Sequence, residues 1–544
     1  MRSRRTRQLA AIMAVGCLTP VVAEVPHEMV KVAFEQHEIA LGTAKRQTIL
    51  TGFFLGGGMA DVAVVSVDEN GDRRLRIYEF RGGSWDPEIE ATLRPEVLFV
   101  DTGSIGGRDR LITYENGRLN WFDPDSATER ALVEVGASYR AADEGEIPHV
   151  DITRDLNRDG RDDVIMPSVD GFWISTQRSD GSFTDAIKLG PAEPFAQSPV
   201  GTLDVDEPAS DARRTYGDVG ITAATLPVYL SRVHRIDHDL DGRIDLVFWN
   251  GDHFDVYHQG ENGQFDQMAE TFTVDVPFDS DGVYSYLFEF SGDGPLSVIF
   301  GLRKKTERTV LHSFRDLNGD RVADLMTLTL AGRGVAKQRS VYEVHFGAST
   351  SDGIRFATDV STTIHPGGRA GGMLPWGYAS EWFEDLDGDG RVEIIYGYVR
   401  VGFGGMMRTL FGKSVPMNLE LYRNREGSYP VRPTTARKLR RFAPFAGFGN
   451  IFFPPVLIGD VNGDGRADLL VGKSPAELHV FSGLTGPDLL ARKPQKMAVS
   501  LPYDERKSWL SDLNGDGKQD LLVHHGPTAK APGEPHRLTT LIAR

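Results

Sequence analysis

The stretch Asp512-Leu-Asn514-Gly-Asp516-Gly517-Lys-Gln-Asp520, with Leu521-Leu522-Val523 directly after it, occurs in six versions along the chain. The other five are Asp155-Leu-Asn157-Arg-Asp159-Gly160-Arg-Asp-Asp163, Asp237-His-Asp239-Leu-Asp241-Gly242-Arg-Ile-Asp245, Asp316-Leu-Asn318-Gly-Asp320-Arg321-Val-Ala-Asp324, Asp385-Leu-Asp387-Gly-Asp389-Gly390-Arg-Val-Glu393 and Asp460-Val-Asn462-Gly-Asp464-Gly465-Arg-Ala-Asp468. Oxygen side chains stand at positions 1, 3, 5 and 9 of every copy. All-oxygen ligation suits a hard cation, calcium above all, so about six calcium ions are expected. Recurrence every 50 to 80 residues points to a repeat architecture, not to one active site.

The first six positions imitate an EF-hand loop, but the twelfth excludes one. An EF-hand needs a bidentate Glu there and flanking helices. This chain has Met166, Phe248, Thr327, Tyr396, Val471 and Val523 at that position. The acid sits at position 9, and a short apolar run follows it, as in Val164-Ile165-Met166 and Leu469-Leu470-Val471. Such runs read as strands buried on both faces. The unit is therefore strand, acidic loop, strand. Gly at position 6 suits a turn with positive φ. The third copy carries Arg321 there and is expected to be the most strained and weakest site. Position 7 is expected to offer a backbone carbonyl and leave its side chain (Arg161, Arg243, Arg391, Arg466 or Lys518) free.

These loops and the strands after them resemble the FG-GAP and VCBS repeats of secreted bacterial proteins and of the integrin alpha-subunit propeller. The resemblance spans about residues 45 to 544. It implies an all-β β-propeller with calcium in the turn between the first two strands of a blade. It also implies adhesion or ligand binding, or, on similar scaffolds, polysaccharide lyase activity.

Two degenerate copies precede the six. Asp101 to Asp109 keeps positions 1, 6 and 9, and Phe53 to Asp61 keeps only position 9. The eight starts predict eight four-stranded blades, with seven as the alternative. The last unit is one strand short, while Met29 to Phe34 precedes the first as a spare strand. Pairing the two closes the ring and removes an unpaired edge. Residues 24–544 then form one domain, with insertions at about 188–230 and 397–426.

Residues 1–23 read as an export signal. Arg2, Arg4, Arg5 and Arg7 precede an apolar Leu9–Leu18 too short to span a bilayer, and Val21-Val22-Ala23 offers a cleavage site. A periplasmic, cell-surface or secreted location is expected, and lipidation at Cys17 is a weaker possibility. No later segment is apolar enough to span a membrane. Cys17 is the only cysteine, so a mature chain would need a staple other than disulfides.

Loss of the four signal arginines takes the formal charge from -17 to -21, and 20 acids occupy the ligand positions of the loops. The acidity is thus largely ligand charge, and the absence of a basic face argues against nucleic acid. No G-x-S-x-G or H-E-x-x-H motif occurs, which points away from catalysis without excluding it. The expected function is a ligand-binding or adhesion-type module for a protein or glycan. A polysaccharide lyase or other carbohydrate-active enzyme is the alternative. Arg432, Arg437, Lys438, Arg440 and Arg441 are a candidate anionic-sugar patch, though more simply a solvated face.

Overall fold

The computed structural model describes residues 31–544 except 142, 169, 192–229, 282–305, 333–338, 351–352, 368–372, 376–380, 401–413, 426, 443–454, 487 and 528–532. The signal segment, Cys17 and most of the 188–230 excursion lie outside the described residues. Among the described residues, no helix is long and apolar enough to cross a membrane.

The chain forms eight antiparallel blades. Six of the eight second strands begin on the position 9 acid of an acidic loop. They are Asp163–Ser168, Asp245–Trp249, Asp324–Gly332, Glu393–Arg400, Asp468–Ser474 and Asp520–His525. The apolar runs that follow are buried, as the sequence predicts: Val164, Ile165 and Met166 are each 0% exposed, as are Leu521, Leu522 and Val523. Each fully buried Val, Leu or Ile contributes about 1.5–3 kcal/mol. The clusters they form straddle blade boundaries. Tyr114 and Leu119 of the second blade pack with Val164 of the third and Leu246 of the fourth. First strands of successive blades also touch, placing them around the ring axis.

The ring closes as expected. The N-terminal strand pairs antiparallel with the last strand, His536–Ala543, from Phe34↔Ala543 to Gly42↔His536. That strand is Phe34–Gly42, not residues 29–34. Its burial alternates over Glu38–Leu41, with Ile39 and Leu41 buried and Glu38 and Ala40 exposed, because an outermost strand buries only one face. Ile39 and Leu538 then meet Val62 of the first blade in one cluster.

The second blade corrects the reading of its loop. Asp101 lies within the first strand, Phe99–Ile105, and the link to Arg108–Glu115 is the two-residue turn Gly106-Gly107. Both glycines have positive φ, 62° and 74°, which a tight two-residue hairpin requires. So Asp101 to Asp109 is a hairpin and not a degenerate acidic loop. The first blade keeps a true loop between Gln47–Gly52 and Asp61–Val67.

Two blades carry additions. The fifth holds a hairpin, Gly347–Thr350 with Gly353–Phe356, between its third and fourth strands. In the sixth, both ends of the 397–426 stretch are regular strand: Glu393–Arg400 pairs with Ser414–Tyr422, from Ile394↔Tyr422 to Val399↔Met417. Its apolar tip, 401–413, is outside the described residues.

Candidate functional site

Every acidic loop folds around its own carboxylates. The position 1 Asp accepts from the position 6 amide: Asp155 from Gly160 at 2.9 Å, Asp385 from Gly390 at 2.8 Å, Asp460 from Gly465 at 2.7 Å. The third loop makes the same bond through Arg321, at 2.8 Å. Arg321 holds φ at 72°, the left-handed value that its counterparts reach with glycine. Position 4 is left-handed as well. It is Gly319, Gly388, Gly463 and Gly515 in four loops, but Arg158 (φ 58°) and Leu240 (φ 62°) in two. The sequence carried that signal in its G-D-G triplets.

The position 9 carboxylate is a clamp. In five blades one oxygen accepts from the position 2 amide and the other from the amide two residues past the third strand. Asp163 takes Leu156 at 3.1 Å and Gln177 at 2.8 Å, and Asp324 takes Leu317 at 2.8 Å and Gly347 at 3.0 Å. Asp245, Glu393 and Asp468 repeat the pattern. In the last blade Asp520 reaches Leu513 and, within the third strand, Ala543. Close approach explains Gly483, whose added Cβ would stand 2.7 Å from the Ala467 carbonyl. Burial pushes these acids up, against the pull of the amides: Asp163, Asp324, Glu393 and Asp468 to about 7, Asp520 to about 6.

In two of the six loops the acids also draw together among the described residues. In the second loop, oxygens of Asp237, Asp239 and Asp241 lie within 4.8 Å of one another. So do one oxygen each of Asp239 and Asp245 with a ring nitrogen of His258, and oxygens of Asp385, Asp387 and Glu393 in the fourth loop. Asp237 Oδ1 and Asp387 Oδ1 are buried and accept no hydrogen bond. A buried carboxylate oxygen without a donor is costly, and a hard cation would satisfy it. These donor sets would suit a hard cation at Asp237, Asp239 and Asp241, and at Asp385, Asp387 and Glu393. In the other four loops Asn157, Asn318, Asn462 and Asn514 replace the position 3 acid and supply a neutral oxygen.

The position 7 side chain is not free. Arg161, Arg243 and Arg466 pair with the position 5 carboxylates Asp159, Asp241 and Asp464, and Lys518 reaches Asp516 at 3.2 Å. Arg161, Arg243 and Arg466 also donate through Nε to the carbonyls of Gln177, Gln259 and Gly483. Arg423 pairs with Asp387 in the fourth loop. Side-chain cations thus neutralise part of the cluster in five of the six loops.

Neighbouring loops are linked. The position 8 amide donates to the preceding blade's loop: Val392 to the Leu317 carbonyl (3.3 Å), Ala467 to Leu386 (3.1 Å), Gln519 to Asp460 (2.7 Å) and Ala60 to Leu513 (2.6 Å). Side-chain amides bridge elsewhere, with Gln259 Nε2 donating to the Asn157 carbonyl (3.1 Å) and Asn424 Nδ2 to the Leu317 carbonyl (2.7 Å).

These loops all join first strands to second strands, so they share one face of the ring. The opposite face carries the connections into first strands and from second strands to third. A cavity of about 750 Å³ opens there, between Gln47–Thr51 of the first blade and Ser508–Ser511 of the eighth, with Thr102, His149, His524 and His536 in its wall. His524 Nε2 and His536 Nδ1 lie 2.9 Å apart and are buried. No local pattern signals this cavity, because its walls come from opposite ends of the chain. The basic patch, by contrast, is partly consumed: Arg437 donates to the Ala491 and Leu490 carbonyls at 2.6 Å each and stacks over Phe481.

Sheet order and loops define an eight-bladed β-propeller with acidic turns repeated on one face. No family model matches the chain, and no curated protein does. Among solved structures, the chain is similar to the Vibrio cholerae biofilm matrix protein Bap1, at 11% identity, TM-score 0.35, over 92% of this chain and 88% of that one. A Photorhabdus luminescens Tc holotoxin pore matches at 15% identity and TM-score 0.29, over 91% of this chain but only 20% of that one. A Bacillus licheniformis rhamnogalacturonan lyase matches at 14% identity and TM-score 0.26, over 54% of this chain and 50% of that one. Scores this low leave the fold to rest on the strand pairings themselves.

Proposed function

We propose that the chain is an exported β-propeller whose acidic loops hold structural calcium and whose opposite face binds a protein or glycan ligand. The observation that carries this reading is the division of labour between the two faces. One face spends its polar groups on clamping loops to each other. The other holds a cavity whose volume falls within the roughly 300–1,000 Å³ usual for ligand sites. Calcium would add positive charge where buried carboxylates stand, and metal bound to the folded state alone stabilises it by mass action. The loops would then be staples for a ring without disulfides, and specificity would lie elsewhere.

The test is a glycan and protein array probed with the mature chain in calcium and in excess chelator. Selective capture of some ligands in calcium, lost in chelator, is expected. Capture of nothing in either condition would contradict the binding role. Release of unsaturated products from an acidic polysaccharide would assign the ring to cleavage instead.

A further inference from the structure

The cavity on the closure seam differs in charge from the rest of the molecule. The chain carries a formal -17, yet Lys45, Arg46, Arg506 and Lys507 line this one space against Glu146 and Asp504. Two of the cations are paired there. Arg46 contacts Glu146 at 2.6 Å and Asp143 at 2.5 Å, and Arg506 contacts Asp504 at 2.7 Å. Lys45 and Lys507 take part in no ion pair among the described residues, so the cavity keeps a positive excess. His524 and His536 add no charge to it. Burial first, then the Lys507 charge, pushes His524 down to about 3 and lowers His536. They face the site as neutral groups at neutral pH.

The rest of the wall mixes two kinds of surface. Trp509, Leu510 and Ile49 are apolar, while Thr51, Thr102, Ser511 and Gln47 offer hydroxyls and an amide. A bare anion needs only the lysines. A pyranose ring bearing a carboxylate needs all three elements: a cation for the acid, hydroxyl partners, and an aromatic or aliphatic surface for its C–H face.

We infer that this seam cavity binds a uronate-bearing oligosaccharide, with Lys45 and Lys507 meeting its carboxylates and Trp509 packing against a sugar ring. The inference rests on the reading of this face as the binding face, and it names the ligand class. A cationic pocket in an acidic protein also focuses anions locally, so binding should weaken as salt rises.

The test is calorimetric titration of the mature chain, at constant calcium, with trigalacturonate, with the neutral trigalactose and with inorganic phosphate. Trigalacturonate should bind at least about tenfold more tightly than trigalactose, about 1.4 kcal/mol. Lys507→Met and Lys45→Met should each weaken it about tenfold, with thermal melts unchanged. Trp509→Leu should weaken it too. Equal binding of the charged and neutral sugars, or no effect of either lysine variant, would overturn the inference. Phosphate binding as tightly as trigalacturonate would overturn the sugar half. A chelator-insensitive melt would sink the calcium staple and leave this result standing.

Discussion

The loop of the first blade and the six acidic loops solve one structural problem with different means. Both end on a carboxylate that opens the second strand and accepts from a loop amide. Asp61 takes Leu55 at 2.7 Å, as Asp468 takes Val461 at 3.2 Å. Burial pushes both up, Asp61 to about 6 and Asp468 to about 7. They differ in what fills the loop. In the first blade Phe54 is buried in the core shared with the next blade, the Arg108 guanidinium of that blade donates to the Phe54 carbonyl, and Asp109 accepts from Phe53 at 2.9 Å. In the acidic loops positions 1, 3 and 5 carry oxygen side chains, where the first loop has Phe53, Leu55 and Gly57. The clamp therefore belongs to the fold, and the other three positions carry the metal chemistry proposed for them. Position 9 clamps the loop in all seven blades, and under the proposed function it would also serve the metal in six of them.

The sharpest way to break this comparison is to remove the clamp on each side. Asp61→Ala and Asp163→Ala each leave buried amides without an acceptor, and each should cost about 1–3 kcal/mol in metal-free buffer. Adding calcium should widen the gap. Asp163→Ala should then lose about a further 1–3 kcal/mol, because a loaded site is lost with it, while Asp61→Ala should not change. Chemical denaturation of the two variants with and without calcium measures both. Equal calcium responses would show that position 9 contributes nothing to metal binding.

A smaller effect sharpens the comparison among the acidic loops themselves. Arg321 stands at the left-handed φ of 72° where Gly465 stands at 77°. Arg321→Gly should stabilise by about 0.5–1 kcal/mol, and Gly465→Ala should destabilise by about 1 kcal/mol. Thermal melts of the two variants should therefore move in opposite directions.

The same contrast explains what the sequence made legible. The acidic loops announce themselves because turn chemistry, ligand oxygens and a buried strand fall within a dozen consecutive residues. From them the eight blades, the second-strand boundaries and the closure follow. Elements without local chemistry were harder to place. The closing strand, Phe34–Gly42, buries fully only Ile39 and Leu41 and carries Glu-Gln-His-Glu over residues 35–38, so its apolar signal is weak and points to residues 29–34 instead. Asp101 looked like a loop residue, yet it is a buried strand residue accepting from the Ile152 and Thr153 amides of the next blade at 2.8 and 2.9 Å. That role depends on a partner about fifty residues away, which no local pattern reports. The seam cavity is the extreme case, with His149 facing residues from the two ends of the ring.

The central claim is that buried loop carboxylates are held charged by calcium, and one set of melts tests it. Metal-free, these acids bind protons more tightly when folded than when unfolded: Asp163 rises from 3.8 to about 7. That stability is fully present below the ordinary carboxylate range and is lost as pH rises through about 7. In chelator, the melting temperature should fall between about pH 5 and about pH 8. In calcium it should hold or rise over the same span, because the cation binds the charged form and competes with the proton. Identical melting curves with and without calcium at both pH values would contradict the account.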